Sequence, residues 1–321
     1  MGDKFWKIYK KFGSYIILAA VFLFFALTQK AFLRPANLIN VLQQVAIYGI
    51  IATGVTFVMI SGGTDLSVGG QVACNGLLMA AMMVYWHFPI PVAIIIGIFV
   101  GIFLGCINGA IAAVLRVTPF VITLCTMLIL NGIALVVTNG YPIYDIPQSF
   151  LWFGQGKIGP VPVSVIILAL VCLTGWFLLS KTYFGRQVYA LGGNQEAARL
   201  AGINIVKMRI IVYGLCGFFT SIGTIVMVAR TNSATATAGS NYQFDCMTAI
   251  CLGGITFGGG NGNMVNTFIG VLIIGILANG LILMGVNSNM QQVIKGFLLL
   301  FAISMDAIQK RRAAGDWGPK R

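Results

Sequence analysis

Apolar runs of about 20 residues recur along this chain, each closed by a proline, a glycine cluster or a charged break. A helix needs about 17–25 residues to cross the hydrocarbon core of a bilayer. By that yardstick the sequence predicts about ten spans, near 14–33, 42–60, 68–87, 91–115, 119–138, 161–180, 208–228, 242–258, 264–285 and 290–308. Gly and polar residues interrupt the second, third and eighth. Of the 321 residues, 58% are hydrophobic and 8% charged, against about 45–50% and about 25% in a soluble domain. A soluble fold of this size leaves roughly a quarter of the unfolded chain's surface wet, so this much apolar surface calls for lipid as its solvent. The expected fold is an all-α polytopic membrane protein, a single domain over residues 1–321.

Charge placement sets the expected orientation, because Lys and Arg favour the cytoplasmic side. With the N-terminus inside, ten spans return the C-terminus to the cytoplasm. The inside segments then hold Lys4, Lys7, Lys10, Lys11, Arg116, Lys181, Arg186, Arg199, Lys207, Arg209, Lys310, Arg311, Arg312, Lys320 and Arg321. Only Lys30, Arg34, Lys157, Arg230 and Lys295 fall outside or near the outer face. The net charge of +13 is therefore a topology signal, and nucleic acid is not expected as a partner. The run from Ser14 to Leu33 follows four lysines, as in a signal peptide. It is long enough to span and no small-residue cleavage site follows, so it reads as a retained helix.

Two loops stand out on this topology. Residues 139–160 form an outer segment with Pro142, Pro147, Pro160, Tyr141, Tyr144, Phe150, Trp152 and Phe153, aromatics suited to a membrane interface or a docking surface. Residues 181–207 form the largest inner loop. An internal echo links Gly101, Gly105, Asn108 and Gly109 of the fourth span to Gly275, Asn279 and Gly280 of the ninth. Two inverted five-helix halves would produce it, and so would independent small-residue packing seams.

Enzyme chemistry is not expected. Gly156-Lys157 lacks the upstream glycine and the following Ser or Thr of a phosphate-binding loop, so ATP should not bind here. One histidine, His87, excludes HExxH and most metal sites. The seven cysteines lie in apolar stretches without a CxxC pair and read as reduced packing residues. No cofactor is expected on this chain.

Within the inner loop, Ala190-Leu-Gly192-Gly193-Asn194-Gln-Glu196-Ala197-Ala198-Arg199-Leu-Ala-Gly202-Ile203 predicts a short helix. Asn194 serves as N-cap, Glu196 sits in the positive first turn, Arg199 nears the negative end, and Gly202 suits the left-handed position after it. So short a helix needs contacts on its flanks, from its own protein or from a separate cytoplasmic subunit. The stretch closely resembles the coupling-helix region of the ribose-type monosaccharide ABC permeases. Phe32-Leu-Arg-Pro-Ala-Asn37-Leu38-Ile-Asn40-Val-Leu-Gln43-Gln44 resembles that family's segment after the first span. Ser61-Gly62-Gly63-Thr64-Asp65-Leu66-Ser67-Val68-Gly69 is similar to its Gly-Ile-Asp-Leu-Ser-Val-Gly motif, with Thr64 in place of Ile. The glycine-rich run from Leu252 to Gly262 also matches, with Asn261 where Lys is usual.

That resemblance implies a translocation subunit of a bacterial inner membrane. It would pair with a second permease copy, take a monosaccharide from an extracytoplasmic sugar-binding protein, and bind an ABC ATPase subunit that carries ATP and Mg. Gly193, Asn194, Glu196, Ala197, Ala198, Arg199 and Gly202 would form the ATPase-coupling segment.

The polar residues of the spans admit two readings. Asp65 and Ser67 line the translocation pathway, or Asp65 caps the third span. Asn75, Asn108, Asn131 and Asn279 line the same route, or bond between helices. Asp245 carries the same two readings as Asp65, pathway residue or, preferred, cap for the eighth span, and Lys295 reads as a snorkelling side chain. The rival function is an ion-coupled secondary transporter, which would need buried ionisable residues for its coupling ion; a channel ranks behind it.

Overall fold

A computed structural model describes residues 2–313. Lys320 and Arg321 of the inside tally lie outside these residues, as do the side chains of Lys4, Lys7, Lys10, Lys11, Lys310, Arg311 and Arg312. The chain runs α1 (Gly2–Thr28), α2 (Pro35–Ile60), α3 (Val68–Val84), α4 (Ile90–Val114), α5 (Pro119–Thr138) and α6 (Gln148–Gln155). A two-residue hairpin, β1 (Lys157–Ile158) with β2 (Val161–Pro162), leads into α7 (Val163–Lys181), α8 (Tyr183–Gly193) and α9 (Gln195–Leu200). Then follow α10 (Ile205–Thr231), α11 (Tyr242–Leu252), α12 (Met264–Leu283) and α13 (Ser288–Ala313).

The helix ends follow local chemistry. α2, α4 and α5 carry proline at their first or second position, where its missing N–H leaves no helical bond unmade. Asn139 and Asn232 close α5 and α10 in the left-handed conformation, which asparagine tolerates better than most side chains.

Among the described residues, six helices are long and apolar enough to span a bilayer: α2, α4, α5, α7, α10 and α12. Gly13–Thr28 and α3 are shorter apolar helices. α2 and α10 form the centre, with 83% and 72% of their apolar windows buried, whereas α4 and α5 stand at the rim with 22% and 17%. The rim exposes Phe99, Phe103, Leu128, Ile129, Val136 and Val137, a continuous apolar surface that suits lipid and not water. The protein is an all-α polytopic membrane protein.

α10 packs along α4, α2 and α3, and α2 packs along α7, α12 and α11. The closest seam runs between α4 and α10. Gly97, Gly101, Gly105 and Gly109 recur every fourth residue, so they share one face of α4. A methyl group on Gly101 would strike Gly217 O and Ser221 Oγ, and one on Gly105 would strike Tyr213 O. Small residues let these backbones touch.

Four expectations change. The eighth span, expected over 242–258, is the eleven-residue α11. Its continuation, though apolar, turns at Gly254, Gly259, Gly260 and Gly262, all at positive φ, which ends a helix. The inner loop holds two helices where one was expected, because Thr182 accepts a bond from Gly185 N and starts α8. The outer loop is no simple surface segment: it contains α6, and Ile143 pairs with Ala234 beyond the end of α10. Phe150, expected among its interfacial aromatics, is fully buried, while Tyr141, Tyr144 and Trp152 are exposed.

Candidate functional site

The break between α2 and α3 holds a buried polar cluster. Gly62 turns the chain at φ +79° after Ile60, and Thr64 O accepts a bond from Tyr213 Oη at 2.9 Å. Asp65 is fully buried. Its Oδ1 accepts from Ser67 N at 2.9 Å and from Ser67 Oγ at 2.5 Å. Its Oδ2 has no hydrogen-bond partner among the described residues. The carboxylate thus folds the break onto itself ahead of α3; Ser67 holds the N-cap position and makes no capping bond with its side chain.

The Ser67 hydroxyl gathers three further helices. It accepts from Gln71 Nε2 at 2.8 Å and from Asn108 Nδ2 of α4 at 2.9 Å. Asn108 Oδ1 in turn accepts from Thr126 Oγ1 of α5 at 2.6 Å. The other asparagines lie apart from this cluster. Asn75 Nδ2 donates to Gly97 O at 2.8 Å and Ser221 Oγ at 3.0 Å, tying α3 to α4 and α10. Asn279 and Asn37 exchange two 2.9 Å bonds between α12 and the start of α2. Asn131 is half-buried on α5 and makes no hydrogen bond among the described residues.

Asp245 and Lys295 require correction. Asp245 does not cap α11, whose N-cap position is Asn241, and Lys295 does not snorkel. Lys295 Nζ donates to Asp245 Oδ2 at 2.8 Å, with the side chains 19% and 5% exposed. The signal was present in the sequence: on the expected ten-span topology two opposite charges sit near the starts of two spans that enter from the same face, hence at similar depth. An unpaired charge within a span is costly, which favours pairing over capping.

In the loop expected on the inner side, α9 is built as capping chemistry requires. Asn194 Oδ1 accepts from Ala197 N at 2.9 Å, Arg199 pairs with Glu196 at 3.0 Å, and Gly202 follows at φ +84°. Arg209 Nη2 donates to Gln195 Oε1 at 2.8 Å and moors α9 to α10. Ala198 is buried, whereas Ala197 and Leu200 face outward, Leu200 at 81% exposure. Gly193 has open space around it.

The end of α8 reaches the same break that holds Asp65. Gly260 N donates to Ile60 O at 2.8 Å, and a side chain on Gly192 would run into both groups. Tyr189 Oη donates to Gly262 O at 2.6 Å. Three segments therefore meet with backbone against backbone: the end of α2, the end of α8 and the glycine-rich loop after α11. Asn261, where the resemblance anticipated lysine, is exposed beside this junction.

Residues 37–303 match the family described as a branched-chain amino acid transport system permease component. The ribose import permease of Bacillus subtilis is 42% identical over 301 residues, 93% of each chain. The chain belongs to this permease family. The permease is also 38% identical over 303 residues to a probable ABC transporter permease of Escherichia coli, covering 94% of this chain and 91% of that one. It is 34% identical over 321 residues to the galactose/methyl galactoside import permease of the same species, covering 94% and 96%. No solved structure matches it. As a permease component it is a translocation subunit and not an enzyme; the ATPase of such an importer is a separate chain.

Proposed function

We propose that this permease is the membrane-spanning subunit of an ATP-driven importer that moves a monosaccharide, ribose or a related sugar, into the cytoplasm. Relatives named for ribose and galactose import cover nearly the whole chain, and that similarity carries the choice of sugar over amino acid. The chain acts as one domain in a bacterial inner membrane, with α1, α3 and α13 joining the six clear spans and α11 together with the glycine-rich loop after it making the tenth crossing. Both termini then face the cytoplasm, residues 181–207 form the coupling loop and residues 139–160 the outer loop.

Two inverted five-helix halves account for the packing pattern. If α2 corresponds to α10, α3 to α11, α4 to α12 and α5 to α13, then α4 on α10 matches α12 on α2. In the same way α10 on α3 matches α2 on α11, and α3 on α5 matches α11 on α13; all six contacts occur. A second copy of the permease completes the pathway, and an extracytoplasmic sugar-binding protein supplies the solute.

The coupling segment is Gly193, Asn194, Glu196, Ala197, Ala198, Arg199 and Gly202. Its exposed face docks on an ATPase subunit that uses ATP and Mg, and the glycine junction relays the movement to the Asp65–Ser67–Asn108 cluster, which acts as the inner gate. Asn131 faces the solute route, while Asn75 and Asn279 hold helices together beside it. The test is affinity capture of the permease from its native membrane, with uptake of labelled ribose and labelled leucine measured alongside. Wild type should retain an ATPase and import ribose. Ala197→Glu places a charge on the docking face, and Gly202→Pro cannot take the required positive φ, so both should lose the ATPase and the uptake. Uptake of ribose without any ATPase, or of leucine alone, would sink the proposal.

A further inference from the structure

A cavity of about 350 Å³ lies between α2, α11 and α13, at the lower end of the roughly 300–1,000 Å³ typical of small-molecule sites. Tyr48, Asn241, Asp245, Gln291, Gln292 and Lys295 are among its lining residues. Tyr48 lies six residues, about 9 Å by the 1.5 Å rise, inside the span expected to begin at residue 42, which puts the cavity in the outer part of a core about 30 Å thick. α11 begins at this cavity after a non-helical stretch, and its N-cap residue Asn241 makes no side-chain capping bond. A discontinuous helix whose end lies within the membrane is one way transporters present polar backbone to a solute.

The chemistry of the wall is specific. Asp245 and Lys295 neutralise each other at 2.8 Å, and Lys295 Nζ lies 5.9 Å from the centre of the Tyr48 ring. Packing alone does not call for such a pair, since well-packed apolar residues of similar volume hold helices at least as well. A charged solute would have to divide the pair. A neutral polyol can bond to carboxylate and ammonium together without separating them, and the Gln291 and Gln292 amides offer both donors and acceptors.

We propose that this cavity is a transit site for one neutral polyhydroxylated solute, a monosaccharide in ring form, whose hydroxyls donate to Asp245 and accept from Lys295. The assignment rests on the importer reading above and adds the place where the sugar pauses inside a single protomer.

The test uses the whole transporter, permease with its ATPase and binding protein, in native membranes. Gly296 lines the cavity and has open space where a side chain would start, so Gly296→Trp fills the cavity and leaves the ion pair in place. Gly296→Trp should cut the maximal rate of labelled ribose uptake about ten-fold or more, since steric access decides passage at a constriction, at equal membrane content and with the ATPase still co-purifying. Phe297→Leu, on the exposed face of the same helix, is the matched control. Should Gly296→Trp fail to accumulate, the double variant Gln291→Ala/Gln292→Ala carries the test, with an expected rise in KM for ribose of about three-fold or more. Wild-type ribose uptake left intact by these variants overturns the site alone. A wild type that moves no monosaccharide overturns the importer reading and this site with it. Variants that block leucine uptake instead overturn the polyol assignment.

Discussion

At Ser67 one hydroxyl donates to Asp65 and accepts from Gln71 and Asn108, which uses all the bonding capacity a hydroxyl has. Removing it strands two buried amide donors, Gln71 Nε2 and Asn108 Nδ2, and leaves Asp65 Oδ1 with only the Ser67 backbone N–H. Each buried group left unsatisfied costs about 1–3 kcal/mol. Ser67→Ala should therefore destabilise the permease by at least about 2 kcal/mol, read as a lower midpoint of thermal unfolding in detergent. Thr126→Ala, which strands only Asn108 Oδ1, should cost less. An equal or smaller loss for Ser67→Ala would mean that Ser67 is not the hub of the cluster. Asp65 and Ser67 were legible as a polar break within an apolar chain. Their partners were not, because Asn108 and Thr126 lie on other helices and nothing local says which polar residues face each other. The Asp245–Lys295 pair lay nearer the limit of what sequence can yield, since both depth and sign pointed to it.

Helices were legible where length and apolarity coincide, as in α4, α5 and α12. They were not where glycine decides the outcome. The residues after Leu252 stay apolar enough to extend a span, yet four glycines at positive φ turn them into a loop. α8 is rich in glycine and reads as loop, although Gly185 sits where a methyl group would meet Leu179 O and only a tight turn into a helix fits. The glycine seam of α4 shows the same residue type with a different purpose, and it sets up a paired comparison. Gly105→Ala drives a methyl group into the Tyr213 carbonyl, and overpacking of this kind costs about 1–3 kcal/mol. Gly132→Ala on α5 meets nothing within 4 Å, so only the helix-propensity gain of up to about 1 kcal/mol remains. Gly105→Ala should lower the midpoint of thermal unfolding and Gly132→Ala should leave it unchanged or raise it. If the two shifted it alike, α4 and α10 would not be in backbone contact.

For the whole molecule, the proposed function poses the question of how an event at the cytoplasmic face would reach a gate among the helices. α9 lies outside the packed core, yet only Gly193 and Asn194 separate it from Gly192, where the junction with Ile60 and Gly260 forms. Nothing at that junction is compressible: its contacts are backbone to backbone, and the single hydrogen bond from Gly260 to Ile60 is 2.8 Å long. A rigid joint of this kind transmits a displacement, whereas a joint of long side chains would absorb it. The break that follows Ile60 contains Asp65, so a push on α8 arrives within a few residues of the buried cluster. Gly192→Val separates ATPase docking from transmission, because it leaves the exposed face of α9 untouched and forces α8 away from α2. Affinity capture should recover the ATPase with this variant as it does with wild type, while ribose uptake falls about ten-fold or more, as expected when a packed two-state element is held in one arrangement. Loss of both would assign Gly192 to folding or docking. Uptake at the wild-type level would show that the movement reaches the gate by a route other than this junction, leaving α10, to which Arg209 moors α9, as the element that carries it.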